Sequence, residues 1–472
     1  MYQSIINGCS FEIIPPSDIC DKFNKCSKIE KEIANQDVEV REDAFFIGDL
    51  GDIIHKYETW CELLPRVEPF YAVKCNTDDP VLRLLAELGT SFDCASKSEI
   101  EQVLSLGVSP SRIIYANPCK QKSYIRHAAK QKVKMMTFDN EPELDKIKLI
   151  YPDAELVLRI LPPSNFKVQC DLGIKFGCHP DKAIDLYQKA KDLGLNVIGV
   201  SFHVGSGAEE AEAFYAAVKE AYGVFQLGVE FGFDMTMLDV GGGFPGQKDA
   251  PISFEEVAVV LNDALDEYFP AEMGIRIIAE PGRYFVASAF TLTANIIAKR
   301  MISRDKIVGA YMYYLNDGVY GSFNCLLYDH AKVKPSLLQF TSSVWGPTCD
   351  GMDCILEDCV LPEMHVGEWI YFEDMGAYTM CASSCFNGMP KPKLFGHITK
   401  YSLGLYPFEI SATICRVFRD GLDKMYVVKA RSSLLLKMPV LVKTLCSHLD
   451  WMVHSLERIK TFKNLKVLYL PA

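Results

Sequence analysis

Lys74 closes a short apolar run, Phe70-Tyr71-Ala72-Val73, that reads as a buried strand. An ammonium at the mouth of such a strand is expensive to desolvate. Burial lowers a lysine pKa and exposes the neutral amine, the form that condenses with an aldehyde to a Schiff base. By itself the same lysine would serve equally well as a solvent-facing strand end. Other polar residues stand in the equivalent place, at the C-terminal ends of later apolar runs. They are Asp93, Arg159, His203 with Ser206, Gly241-Gly242-Gly243, and Glu280 with Arg283. Singly these are a core histidine, a tight turn and a structural ion pair. Falling together at successive strand ends, they argue for one site.

Their chemistry converges on pyridoxal 5'-phosphate. Gly241–Gly243 lets backbone N–H groups approach a phosphate with no Cβ in the way, and Arg283 and Ser206 add donors. Glu280 can keep a pyridine nitrogen protonated, which makes the ring an electron sink. His203 offers a flat ring to stack on the cofactor, and Lys74 the amine that holds it.

The elements that position these residues alternate over some 240 positions. Strand candidates are Phe45–Leu50, Phe70–Lys74, Ser91–Ser96, Ile113–Pro118, Met135–Asp139, Glu155–Ile160, Val197–Val204, Met237–Phe244 and Arg276–Glu280. Between them lie segments of helical period such as Ser98–Leu106 and Phe214–Leu227. The pattern predicts an α/β (β/α)8 barrel over residues 45–285 with its reactive groups at the C-terminal strand ends. An open doubly wound sheet is the alternative, but no GxGxxG opens a helix after the first strand. Residues 286–390 turn β-rich and predict a mostly antiparallel β domain, to which residues 1–44 contribute. Residues 391–472 form a basic tail, 14 Lys or Arg against 5 Asp or Glu, with one amphipathic helical pattern over Leu441–Ile459.

At 472 residues and 53.0 kDa the chain is long enough for two cores. A net charge of −12 argues against nucleic-acid binding, and no apolar run is long enough to span a membrane. Seventeen cysteines, an odd number spread along the chain, with no visible secretory signal, fit free thiols in the cytoplasm. Cys349, Cys354, Cys359 and His365 match no standard paired-ligand spacing, so no metal is expected.

Longer motifs carry a family resemblance. Tyr71-Ala72-Val73-Lys74-Cys75-Asn76, Phe92-Asp93-Cys94-Ala95-Ser96-Lys97, Ser201-Phe202-His203-Val204-Gly205-Ser206-Gly207, Gly241-Gly242-Gly243-Phe244-Pro245-Gly246 and Glu280-Pro281-Gly282-Arg283-Tyr284 resemble the eukaryotic ornithine decarboxylase and antizyme inhibitor family. The similarity continues through Asn316-Asp317-Gly318-Val319-Tyr320-Gly321, Trp345-Gly346-Pro347-Thr348-Cys349-Asp350-Gly351 and Gly376-Ala377-Tyr378 to Phe386-Asn387-Gly388, roughly residues 10–390. It implies an alanine-racemase-type barrel, fold type III, and a homodimer whose active sites are shared across the interface. The resemblance makes Lys74 the Schiff-base lysine and Glu280 the pyridinium partner. His203 becomes the stacking ring, and Asp93 and Arg159 organise lysine and cofactor. Ser206, Gly241–Gly243, Arg283 and Tyr378 become the phosphate cradle. Asp329 and Asp350 would grip the distal ammonium of L-ornithine, Cys349 would return a proton to the α-carbon, and Tyr320 and Phe386 would line the pocket.

The implied activity is decarboxylation of ornithine to putrescine, the first step of polyamine biosynthesis. The competing member of the family, a decarboxylation-inactive antizyme inhibitor, characteristically loses some of Asp93, Arg159, Arg283, Asp329, Cys349 and Asp350; here all six stand. Lys120, Lys122, Arg126, Lys130, Lys132 and Lys134 resemble the family's antizyme-binding element, with Lys97 beside it. Two departures stand out. Ile160–Asn165 replaces a more acidic loop. After about Pro390 the family's closing β-strand is not recognisable, so residues 391–472 are either a real extension or a divergent, dispensable end, and the reversal of local charge favours the second.

Overall fold

The computed structural model describes residues 2–6, 9–14, 28–35, 42–170, 172–247, 249–304, 307–333 and 340–399. The helical pattern Leu441–Ile459 and the rest of the tail from residue 400 lie outside the described residues. The strands are, in chain order, β1 (Tyr2–Ile6), β2 (Cys9–Ile14), β3 (Phe45–Asp49), β4 (Val67–Ala72), β5 (Ser91–Cys94), β6 (Ile113–Tyr115), β7 (Met135–Phe138), β8 (Glu155–Arg159), β9 (Val168–Cys170), β10 (Asn196–Ser201), β11 (Ser206–Ala208), β12 (Met237–Asp239), β13 (Arg276–Ala279), β14 (Phe290–Arg304), β15 (Ile307–Leu315), β16 (Phe340–Trp345), β17 (Cys354–Leu361), β18 (Trp369–Phe372) and β19 (Lys393–Thr399).

Eight of them close a parallel barrel. β4 to β8 pair in sequence, β10, β12 and β13 continue the ring, and β13 returns to β4. Side-chain alternation builds its two cores. Phe70, Ile114, Met135, Val157, Met237 and Ile278 point inward and meet as one cluster. Their neighbours Tyr71, Ile113, Met136, Leu158, Leu238 and Ile277 point outward into the shell of helices. The helices dock by specific ties. Helix Leu50–Leu63 is N-capped by Asp49, whose side chain accepts from the N–H of Gly51. Its Trp60 is fully buried, stacks on Phe254 and donates from Nε1 to the carbonyl of Val67, the first residue of β4, at 2.8 Å. Helix Phe254–Tyr268 opens with a reciprocal Ser253–Glu256 capping box.

The second layer is a mostly antiparallel sheet in the order β1-β2-β19-β3-β14-β15-β16-β17, with β18 also on β14. Two expectations change here. Phe45–Leu50 is not the first barrel strand: β3 pairs antiparallel with β14 and parallel with β19, so the barrel domain begins with the helix at Leu50. An apolar run buried on both faces fits either sheet, and its sequence does not choose. The chain beyond Pro390 also contributes structure, because β19 runs parallel between β2 and β3 and fills the middle of the sheet. The sheet meets the barrel next to the Lys74 turn. Tyr378 N–H donates to the carbonyl of Cys75 at 2.9 Å, and Asn76 Nδ2 donates to that of Gly376 at 3.0 Å.

Candidate active site

The inward parity of the barrel strands delivers the charged residues to one end. In β5, Phe92 and Cys94 face the helices, so Asp93 faces the lumen. In β8, Val157 lies in the inner cluster, and Arg159 follows two residues later. Met237 and Ile278 are likewise inside, which sends Asp239 and Glu280 inward. β4 gives way after Ala72 to a single turn, Val73–Cys75, that carries Lys74 over the barrel mouth. A cavity forms there, lined by Ala72, Lys74, His203, Ser206, Gly242, Glu280, Arg283 and Tyr378 among others.

Lys74 Nζ is bonded to Asp93, which is fully buried, while the lysine side chain remains 39% exposed. Burial pulls the lysine pKa down, but Asp93 and Glu280 outweigh it and hold the amine above its usual value. The sequence expectation of a neutral amine is therefore corrected: two carboxylates, not an apolar wall, dominate its surroundings. Glu280 of the lining is paired with a second acid, the fully buried Asp239. Asp239 Oδ1 accepts from the N–H of Gly241 at 2.9 Å, and the N–H of Glu280 donates to the carbonyl of Gly241 at 2.6 Å. Burial raises the pKa of both acids; the charges of Asp239 and Asp93 push Glu280 further up, whereas hydrogen bonds from Gly241 and Glu280 hold Asp239 back, and Arg159 lowers both. Asp239 is the residue that the sequence reading missed. It stands two positions after the inward Met237, and strand parity alone would have found it.

His203 is held as a neutral ring. Its Nδ1 accepts from the N–H of Gly205 at 3.1 Å, so a neutral imidazole carries its proton on Nε2. Burial and the charges of Arg159 and Lys74 push its pKa well down. The glycine loop lies directly on it. Gly241 has φ +62, and an added Cβ would stand 2.0 Å from the carbonyl oxygen of Phe202. At Gly242 it would stand 2.7 Å from His203 Nε2.

Arg283 completes this end. One Nη2 donates both to Ser206 Oγ at 2.8 Å and to Asp329 Oδ1 at 2.6 Å, and the guanidinium lies 5.3 Å from the Tyr378 ring. Its Nε is buried with no hydrogen-bond partner among the described residues.

The residues separate into two groups. Lys74, Asp93, Arg159, His203, Ser206, Gly241–Gly243, Glu280, Arg283, Tyr378 and Asp329 belong to the barrel mouth. Tyr320, Cys349, Asp350 and Phe386 form a second cluster outside that lining. There the Tyr320 and Phe386 rings stack at 4.4 Å, the Tyr320 hydroxyl donates to Asp350, and Asn387 Nδ2 lies 3.1 Å from Cys349 Sγ. Cys349 is exposed, as is Phe386 at 43%.

A residue read as surface charge also moves inside. Lys120 is buried, with Nζ 3.1 Å from the buried Glu143 and donating to the carbonyls of Asn117 and Thr137. Lys122, Arg126, Lys130, Lys132 and Lys134 remain exposed, the first three on helix Lys122–Gln131.

The profile of the family described as pyridoxal-dependent decarboxylase, pyridoxal binding domain, matches residues 50–287. Ornithine decarboxylase of Rattus norvegicus is 54% identical over 371 residues, 75% of this chain and 80% of that protein. Antizyme inhibitor 2 of Xenopus laevis is 53% identical over 374 residues, 76% and 82% of the two chains. The chain belongs to the ornithine decarboxylase and antizyme inhibitor family of pyridoxal-dependent decarboxylases. The arginine decarboxylase of Paramecium bursaria Chlorella virus, solved bound to agmatine, superposes with a TM-score of 0.72 at 36% identity, over 77% of this chain and 99% of that one. The cofactor of the family is pyridoxal phosphate, and the residues present fit it. The glycine loop leaves backbone rather than side chains beside His203, and Arg283 keeps a free donor for an anion. The buried acids Asp239 and Glu280 are unfavourable to ionise alone and would pair with a protonated ring nitrogen. Among the described residues no helix is long and apolar enough to cross a membrane.

Proposed function

We propose that the protein is a cytoplasmic enzyme that decarboxylates L-ornithine to putrescine. The observation that carries this reading is the unbroken charge set around Lys74. Asp93 is on its amine, Glu280 and Asp239 lie beneath, and Arg283 sits at the other end of the same cavity with Asp329 beside it. A family member that had given up catalysis would have no need to keep so many buried charges, each of which is unfavourable to bury unless paired. Pyridoxal phosphate, when bound, supplies the electron sink that makes loss of carbon dioxide possible.

The chain's own groups do the rest. Lys74 holds the cofactor, and Glu280 keeps its ring nitrogen charged. The neutral His203 ring covers one face, and Ser206, Arg283 and the glycine loop hold the phosphate. The second cluster stands apart from Lys74 because, in this reading, it completes the pocket of a partner subunit in a homodimer. Its Asp350 joins Asp329 at the distal ammonium of ornithine, and its Cys349 Sγ delivers a proton to the α-carbon. Carbon dioxide release from carboxyl-labelled ornithine by the purified protein with added cofactor tests the reading. Lysine and arginine at equal concentration should release markedly less. No release from any of the three would leave the inhibitor reading in its place.

A basic helix face supports a second property, antizyme binding. Lys122, Arg126 and Lys130 are exposed on one ten-residue helix with no acidic residue in it. Reversing Lys122 and Arg126 to Glu should weaken antizyme capture at least about tenfold while leaving the thermal midpoint in place. Reversing Lys120 would test folding instead, since it would leave Glu143 facing a second buried carboxylate. Capture that is unchanged in the Lys122→Glu/Arg126→Glu variant rejects this surface.

A further inference from the structure

Gln169 does not line the cavity, yet its side chain reaches Asp329, the carboxylate beside Arg283. It lies on β9, paired with β11, whose Ser206 and Gly207 line the cavity. Gly207 has φ +65, and a Cβ there would come within 2.9 Å of both Cβ and Oε1 of Gln169. The glutamine therefore packs against Gly207, where any larger residue would crowd it. From that position its Nε2 donates to Asp329 twice, to the main-chain carbonyl and, at 3.2 Å, to Oδ2. The thiol of the next residue, Cys170, lies 3.3 Å from the same carbonyl. The other carboxylate oxygen, Oδ1, accepts from Arg283. Asp329, only 4% exposed, is thus held from two sides by donors of different character.

The two donors do different things. Arg283 brings a full positive charge that offsets the charge of Asp329, and the same Nη2 also serves Ser206 at the phosphate end. A phosphate draws on that guanidinium too. The amide of Gln169 is neutral. It fixes the direction of the carboxylate and leaves its negative charge available to an ammonium.

We propose that Gln169 is a positioning residue for the amine end of the substrate: it orients Asp329 toward the distal ammonium of a short diamine or diamino acid. The proposal rests on the reading of Asp329 as the carboxylate that takes that ammonium. Loss of the amide donor removes orientation, and with it selectivity for chain length. The chemistry at the α-carbon, at the Lys74 end, is left alone.

The test is binding of 1,4-diaminobutane and 1,5-diaminopentane to the full chain saturated with pyridoxal phosphate, followed by titration calorimetry. Gln169→Leu and Gln169→Met keep the bulk of the side chain and remove the donor. Each should weaken 1,4-diaminobutane about tenfold, the scale of one hydrogen bond to a charged group, and should narrow the preference over 1,5-diaminopentane. Cofactor affinity should stay within about twofold. The KM for ornithine should rise by the same factor as the diamine dissociation constant, with kcat little changed, the signature of lost uniform binding. In an Asp329→Asn background the glutamine replacement should add nothing. Wild-type diamine affinity in both Gln169 variants overturns the proposal. So does a loss that persists undiminished in the Asp329→Asn background, which would make Gln169 a fastening for β9 only. Asp329→Asn that binds diamine like wild type instead overturns the reading of Asp329, a different failure from the first two.

Discussion

Lys74→Ala is expected to reduce decarboxylation by at least about a thousandfold, or roughly 4 kcal/mol of barrier, and to end covalent retention of the cofactor. Borohydride should no longer fix pyridoxal phosphate to the peptide that contains residue 74. The geometry also predicts what survives. In the proposed reading Arg283, Ser206 and the glycine loop hold the phosphate, and among the described residues Lys74 is bonded to Asp93 and not to them, so non-covalent cofactor binding should fall far less than activity. Lys74→Arg separates the lysine's two duties. It keeps a cation beside Asp93, which is fully buried, but cannot form the adduct. It should match Lys74→Ala in lost activity and match the wild type in thermal midpoint, whereas Lys74→Ala should also be less stable because Asp93 loses its partner. A borohydride-stable cofactor on the residue-74 peptide of Lys74→Ala would reject the assignment.

How much of this was legible beforehand depends on whether a feature is local. Eight barrel strands announce themselves because each is a short apolar run ending in a polar residue, and period-two alternation sets which residue faces in. Phe70 inside and Tyr71 outside follow from that rule, as do Asp93, Arg159 and Glu280 at the mouth. Asp239 obeys it too, but the three glycines that follow it are the more conspicuous signal. What the sequence hides is partnership. Phe45-Phe46-Ile47 is as apolar as any barrel strand, and only its pairing with β14 and β19 places it elsewhere. Lys120 looks like the start of a basic stretch. Glu143, 23 residues on, takes it inside. Gln169 and Asp329 are 160 residues apart, and no local pattern records their contact. The charge state of Lys74 is of the same kind, since it depends on carboxylates from two other strands.

The end of the described chain gives the other large effect. Leu394-Phe395-Gly396-His397-Ile398 mixes a glycine and a histidine into an apolar run, so it does not read as a strand, yet β19 lies between β2 and β3 and pairs with both. Leu394 is buried, the Phe395 ring meets Phe45 edge-on at 5.8 Å, and His397 Nε2 stands 3.5 Å from Asp49 Oδ2. Asp49 is also the cap of helix Leu50–Leu63, whose Trp60 holds the start of β4. The strand is therefore tied, through one helix, to the strand that presents Lys74. A chain ending at Pro390 would forfeit two ladders of hydrogen bonds at about 1 kcal/mol each bond, and a buried leucine worth about 1.5–3 kcal/mol. Together these rival the ~5–15 kcal/mol by which a domain is stable. It would also leave β2 and β3 with open edges that invite aggregation. The expected result is loss of cooperative unfolding and of cofactor binding in the chain ending at Pro390. A chain ending at Lys400 keeps β19 and should unfold cooperatively and hold pyridoxal phosphate. Equal thermal midpoints for the two truncations would show that β19 adds nothing to the fold, and would return residues 391–399 to the dispensable end that the sequence suggests.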